Sequence, residues 1–325
     1  MHRVTRRSWR VGRGARAGRR ASIPLLVHSN SESWELPVPL TLILALSAFV
    51  YWRGLLRIRS SPSNGVPAWR APGFLLGLIL VWVAVGSPLA SCDAGSLTAH
   101  MMQHLLLMTF APPLILLGAP VMTLEQGLPR LLGPGPFSRL LQRRYVRRVG
   151  EALSEPVVCW TAATATLVGW HVPALFALAL RSHTWHAVEH ASFFVTGLLF
   201  WWPVIRPWPS ASSNPRWSMV LYLFFATLPC DILAGFLVFS DRVAYSVYLS
   251  DPGRSTLTVL QDQQSAGALM WTCVTIVYLV AGTILSTRLL VARETSGAGG
   301  PSAGEVSGIG SRPQRGVSRV EVAPR

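Results

Sequence analysis

Apolar residues along this chain gather into runs of about twenty, the length an α-helix needs to cross a bilayer, separated by short polar or arginine-bearing connections. Seven runs qualify: residues 36–56, 72–90, 97–118, 156–180, 186–205, 217–239 and 265–290. The pattern predicts an all-α, polytopic membrane helix bundle whose first partner is the lipid bilayer. No soluble catalytic domain is left over between the runs. The expected organisation is a tail over 1–33, a seven-span domain over 34–292 and a second tail over 293–325. Pro112-Pro113, Pro173 and Pro203 fall within or at the ends of runs and should kink or stop the helices there. Trp170, Trp185, Trp201, Trp202, Trp208 and Trp217 cluster near run boundaries, as an aromatic belt would.

Composition agrees with this reading, since half of the 325 residues are hydrophobic and only 13% are charged. All 29 basic residues are arginine, and with the abundant Ala and Gly this indicates a GC-rich coding sequence. The net charge of +15 is therefore partly a codon effect, and no nucleic-acid partner is expected. Eight of the arginines lie between Arg3 and Arg20, and the segment beyond Arg293 is a Gly/Ser/Pro/Arg mixture too poor in apolar residues to build a core. Both ends are read as disordered, and the first 30 residues in part as an over-long start. The Arg6-Arg7 pair lacks the apolar stretch a twin-arginine signal requires, because Ile23 to Val27 is far too short. Cys92, Cys159, Cys230 and Cys273 show no close spacing, so a disulfide framework is not expected.

Arginines near the run ends set the orientation. Arg53, Arg57, Arg59 and Arg70 occupy the first connection, and Arg130, Arg139, Arg143, Arg144, Arg147 and Arg148 the third, whereas the second has none and the fourth only Arg181. This places the first, third and fifth connections and the C-terminus in the cytoplasm. The arginine-rich N-terminus runs against the rule but lies more than a dozen residues from the first run. On this topology His100 and His104 lie within about 5 to 11 Å of the outer end of their helix, and His186 and His190 are equally shallow. His171 falls in the outer half of the fourth run, Asp231 past the middle of the sixth, Asp262, Gln263 and Gln264 just ahead of the seventh, and His183 in the outer loop. Polar residues from five segments thus converge on one depth, an agreement not built into an assignment that used arginine alone.

Imidazoles are costly in hydrocarbon, so a cluster of them within the membrane is a functional candidate. Residues four apart share a helix face, and each pair, His100/His104 and His186/His190, can therefore aim both rings at one point. Two such helices could offer four nitrogens to one metal ion, with His171 nearby. Met108 extends the His100/His104 face by a turn while Met101 points aside; its thioether suits Cu(I), and imidazole suits Cu, Zn, Fe and Ni alike. Glu189 lies about 100° round the helix from His190, placed either to support a ligand or to pair with Arg181. Asp231 would be an isolated carboxylate in hydrocarbon unless it met a histidine or a metal. The candidate metal-ligating set is His100, His104, His171, His186, His190, Asp231, Asp262 and Met108; no catalytic residue is assigned.

The run His100-Met101-Met102-Gln103-His104 with Met108, Ala111-Pro112-Pro113 and Leu117-Gly118-Ala119-Pro120 resembles a motif of the Caa-type cytochrome c oxidase assembly factor (CtaG-like) family. Similar to that family too are Trp170-His171-Val172-Pro173 through Phe176, His186-Ala187-Val188-Glu189-His190, Gly197 through Pro203, and Asp262-Gln263-Gln264 with Ala266-Gly267 and Trp271. The resemblance covers roughly residues 36 to 290. It implies a multi-pass protein of the bacterial plasma membrane, needed to mature a haem–copper oxidase and helping copper reach an oxidase subunit as client. By position its histidine motifs fall on His100, His104, His171, His186 and His190, and its acidic motif on Asp262. The long arginine-rich N-terminus and Cys92 have no counterpart in those motifs.

Three functions compete on these residues. The leading one is a non-enzymatic assembly factor that holds copper in its extracytoplasmic half and passes it on. An intramembrane zinc hydrolase would use three His and an Asp to hold Zn²⁺ and activate a water, though no serine or further acid is placed to assist. A membrane cytochrome would use facing histidines as the axial ligands of a haem.

Overall fold

The computed structural model describes residues 36–59, 67, 69–92, 95–128, 143–205, 216–250 and 256–297, and among these the regular structure is entirely helical. In chain order the helices are α1 (Val38–Arg59), α2 (Arg70–Gly86), a short α3 (Leu89–Cys92), α4 (Leu97–Leu105), α5 (Ala111–Leu117), α6 (Pro120–Gly127) and α7 (Arg144–Leu153). They continue with α8 (Pro156–Trp170), α9 (Pro173–Arg181), α10 (His183–Ile205), α11 (Arg216–Phe239) and α12 (Thr256–Gly297). Residues 1–33, Trp208 and most of the expected C-terminal tail lie outside the described residues, and α12 itself reaches Gly297.

Six helical segments are long and apolar enough to cross a membrane, and the bent pair α8–α9 makes a seventh if counted as one span. Their outward faces carry large apolar side chains, among them Leu42, Leu46 and Phe49 on α1 and Leu279 and Val280 on α12. In water such faces would be a liability; against lipid tails they are the expected surface. The run 156–180 is not one straight helix, because α8 and α9 meet at 75°. Proline disfavours the helical conformation of the residue before it, and Val172, ahead of Pro173, is extended at φ −64°, ψ 123°. The bend leaves His171 at the corner.

The Pro112-Pro113 pair acts differently. The chain passes from α4 through a π-helical turn, Leu106–Phe110, into α5 without leaving the span. The carbonyl of Met108 would normally be met by an N–H four or five residues on, and both of those residues are proline. Trp201 on α10 supplies the missing donor, its indole Nε1 lying 3.3 Å from that carbonyl. Trp201 is accordingly buried and takes no place in an aromatic belt, whereas Trp185 and Trp217 are exposed as a belt requires. Pro203 sits inside α10 without interrupting it.

Two apolar cores hold the bundle. Tyr51, Leu55, Phe74, Leu107, Ile115 and Phe193 join α1, α2, the π-turn, α5 and α10 in one, while Met101, Phe200, Trp201, Tyr222, Leu237 and Met270 join α4 and α10–α12 in the other. α1 and α6 approach so closely that a Cβ on Gly54 would overlap the Thr123 carbonyl and one on Gly127 the Val50 carbonyl. Neither contact can yield, since each partner is backbone. Gly54→Ala is expected to lower stability by about 1–3 kcal/mol, read as a lower melting temperature in detergent; an unchanged value would mean that α1 and α6 do not pack this tightly.

Candidate metal centre

The helix bearing the first histidine pair is anchored one turn before it. Ser96 begins α4 and its hydroxyl accepts from the Ala99 N–H. Asp262, in the first turns of α12, accepts from Ser96 Oγ (2.9 Å), Leu97 N (2.7 Å), Thr98 N (3.3 Å) and Thr98 Oγ1 (2.7 Å). A carboxylate at a helix N-terminus meets both the free N–H groups and the positive end of the helix dipole. Asp262 therefore fixes where α4 starts and how it is rotated. Its neighbour Gln263 ties α12 to the preceding segment, accepting from Ala244 N at 2.7 Å and donating to Arg242 O at 3.2 Å.

From that anchor His100 and His104 project side by side, with ring centroids 4.3 Å apart. α10 meets them with His186 and His190, themselves 4.1 Å apart. Across the two helices the centroids of His100 and His186 are separated by 5.5 Å and those of His104 and His190 by 5.7 Å. His171, at the α8–α9 corner, stands 6.4 Å from His104. Aromatic rings close the group: Phe193 stacks on His104 at 4.1 Å, and Phe176 meets His100 edge-on at 5.0 Å.

Glu189 completes the arrangement. Its Oε1 lies 3.4 Å from His100 Nε2 and 3.5 Å from His104 Nε2, with His100 and Glu189 fully buried. Two atoms each about 2.0–2.2 Å from one tetrahedral ion stand about 3.3–3.6 Å apart. The two glutamate–histidine spacings fall in that range. One ligand atom from each of His100, His104 and Glu189 lies within 4.8 Å of the other two, and the three could hold a metal ion.

The unpaired atoms agree. Both oxygens of Glu189, both ring nitrogens of His104, and the Nε2 atoms of His171 and His190 are buried without a hydrogen-bond partner. Each such atom costs about 1–3 kcal/mol, so a cluster of them is an expensive arrangement unless something cationic satisfies it. In His171 the Nδ1 atom lies 2.7 Å from the Leu167 carbonyl, which can only accept. The ring proton therefore sits on Nδ1 and Nε2 presents its lone pair, the usual way a histidine is prepared for a metal. Tyr245 holds the same corner by donating its hydroxyl to the His171 carbonyl at 3.1 Å.

The remaining candidates take three different places. Met108 and Met101 both line a small cavity of about 40 Å³ with His104, His171, Cys230 and Met270. Asp262 serves the N-terminus of α4, as described. Asp231, on α11, is not part of the His100–His104–Glu189 group, and its Oδ1 is buried with no hydrogen bond. Glu189 is the residue the ligand expectation left out. Its signal was its place as a carboxylate within an apolar run; the turn of α10 that carries it inward between His100 and His104 is a matter of helix packing.

Known proteins extend this picture. The profile of the cytochrome c oxidase caa3 assembly factor family matches residues 49–291. The chain is similar to an uncharacterized protein of Mycobacterium bovis, at 26% identity over 258 residues, 73% of this chain and 39% of that one. It is also similar to an uncharacterized protein of Mycobacterium leprae, at 24% identity over 226 residues, 68% of this chain and 34% of that one. The chain thus spans well under half the length of these curated relatives, and no solved structure matches it. The matched segment contains every histidine, carboxylate and proline that shapes the centre, and the chain belongs to the cytochrome c oxidase caa3 assembly factor family.

Proposed function

We propose that this protein holds a copper ion at the histidine–glutamate group and delivers it to a subunit of a haem–copper oxidase, from the extracytoplasmic half of the bacterial plasma membrane. The observation that carries the reading is Glu189 Oε1 at 3.4 and 3.5 Å from the Nε2 atoms of His100 and His104 in a buried setting. His100, His104 and Glu189 would hold the ion, and His186, His190 and His171 supply further nitrogens around it. A set of imidazoles with one carboxylate suits Cu(II) and Zn(II); a thioether such as that of Met108 favours Cu(I). More imidazoles than one ion can use is what a carrier needs, because an ion can exchange one ligand for the next without being released into the interior. His186 is only half-buried while His190 and His100 are buried, so the nitrogens grade from the rim of the group to its centre.

Membership in an assembly-factor family points away from catalysis. A bis-histidine haem is disfavoured by space, as the cavity beside the histidines, about 40 Å³, falls far short of the roughly 300 Å³ at which small-molecule sites begin.

The test is elemental analysis of purified wild type and His104→Ala/His190→Ala, with oxidase activity measured in a deletion strain carrying each. Copper is expected in the wild type and less than about a tenth of it in the variant, with oxidase activity falling in parallel. Equal, negligible copper in both would remove the metal reading. Zinc in place of copper, together with amide or ester hydrolysis in detergent, would replace it with the hydrolase.

A further inference from the structure

The end of α8 away from His171 carries a second organised feature, separate from the metal centre. α7, with sequence Arg-Tyr-Val-Arg-Arg-Val-Gly-Glu-Ala-Leu, segregates its residues sharply. At 100° per residue, Arg144 and Arg148 fall on one side with Glu151, and Tyr145, Val149 and Leu153 on the other. In the structure Tyr145, Val149 and Leu153 are 79%, 38% and 44% exposed, and Arg143, Arg144 and Arg148 are exposed as well. Only Ser154 and Glu155 separate α7 from Pro156, where α8 begins, so α7 adjoins the first end of the bent α8–α9 segment. A short helix with an uncovered apolar face and arginines opposite is suited to the boundary between headgroups and acyl chains.

A groove of about 490 Å³ opens at the same end, between the first turns of α8 and α11. Pro156, Val157, Trp160, Met219, Tyr222 and Phe225 form most of its wall. Its size lies within the range of about 300–1,000 Å³ typical of ligand clefts, and its lining is mostly hydrocarbon and rings, with Glu155 and Ser218 as its polar members. A largely apolar cleft on the outside of a membrane-spanning bundle suits an acyl chain, and the exposed arginines of α7, the helix that leads into α8, suit an anionic headgroup.

We propose that this end of the bundle binds one anionic phospholipid, an acyl chain in the α8–α11 groove and the phosphate on Arg144 and Arg148. Arginine suits the phosphate by offering paired N–H donors at fixed geometry. Each arginine near an anionic surface contributes about 1 kcal/mol, so the pair should favour phosphatidylglycerol over phosphatidylcholine by about thirtyfold.

The test is native mass spectrometry of the full-length protein released from nanodiscs containing equal amounts of the two lipids. Wild type is expected to retain phosphatidylglycerol with about that preference. Arg144→Gln/Arg148→Gln should retain both lipids equally. Val157→Trp, at a 69% exposed position in the groove wall, should lose bound phosphatidylglycerol at least fivefold with unchanged circular dichroism. No preference in wild type, or a preference that survives removal of both arginines, would overturn the proposal; retention unaffected by Val157→Trp would overturn the groove as its seat.

Discussion

Glu189→Gln is expected to bind metal at least about 100-fold more weakly than wild type, while the metal-free variant melts no lower. The two halves have one cause. Glutamine has almost the shape of glutamate, so the packing of α10 against α4 should survive. It brings no negative charge, and its amide is a poor ligand for Cu(II) or Zn(II), so a site of two imidazoles and a carboxylate loses the ligand that neutralises the ion. In the metal-free protein the same carboxylate is buried with neither oxygen hydrogen-bonded, and an isolated buried charge is costly, so exchanging it for a neutral amide of the same shape should not lower stability. Isothermal titration with Cu(II) or Zn(II), beside thermal melts with and without metal, measures both halves. A metal-free protein that melts markedly lower would assign Glu189 to an ion pair with a protonated His100 or His104 instead.

Asp262→Ala is expected to cost about 3 kcal/mol of stability and, separately, 10–100-fold in metal affinity. The substitution removes an acceptor of four hydrogen bonds, two from the Leu97 and Thr98 N–H groups at the start of α4. Charge-assisted hydrogen bonds of this kind contribute about 1.5–3 kcal/mol each, and their loss in one network is less than additive. With the anchor gone α4 is free to rotate and slide, and His100 lies only one turn away. A supporting interaction of this type is worth about 10–100-fold in metal affinity. Asp262→Asn should do little better, because its amide nitrogen would face donors. The outcome that would make Asp262 a ligand is loss of metal at an unchanged melting temperature; wild-type behaviour in both measurements would remove its positioning role.

Much of the bundle was legible because burial in lipid leaves a linear record. The runs 36–56 and 217–239 correspond to α1 and α11, since a helix in hydrocarbon must be apolar along its whole length. α12 begins at Thr256, nine residues ahead of the apolar run 265–290, and the same rule hides that start. Asp262 and Gln263 look like the water beyond a span, but they lie within the helix because Ser96, Leu97, Thr98 and Ala244 satisfy them. Prolines show a similar split. Pro173 breaks the fourth run into α8 and α9, as its effect on the preceding residue dictates. Pro112 and Pro113 leave the helix continuous, because a π-turn absorbs them and Trp201 on another helix serves the orphaned carbonyl.

The candidate site divides along the same line. By itself the sequence determined which residues could face together: a four-residue spacing puts His100 with His104 and His186 with His190, because that interval is one turn of any α-helix. Their common depth also followed, from arginines that prefer one side of a membrane. Only the tertiary structure decided that α4 and α10 turn these faces toward each other, that Glu189 sits between His100 and His104, and that Asp262 anchors α4. Periodicity fixes a direction around one helix axis, whereas the rotation of one helix against another is set by close contacts such as Gly197 on the π-turn, where an added Cβ would lie 2.9 Å from Met108.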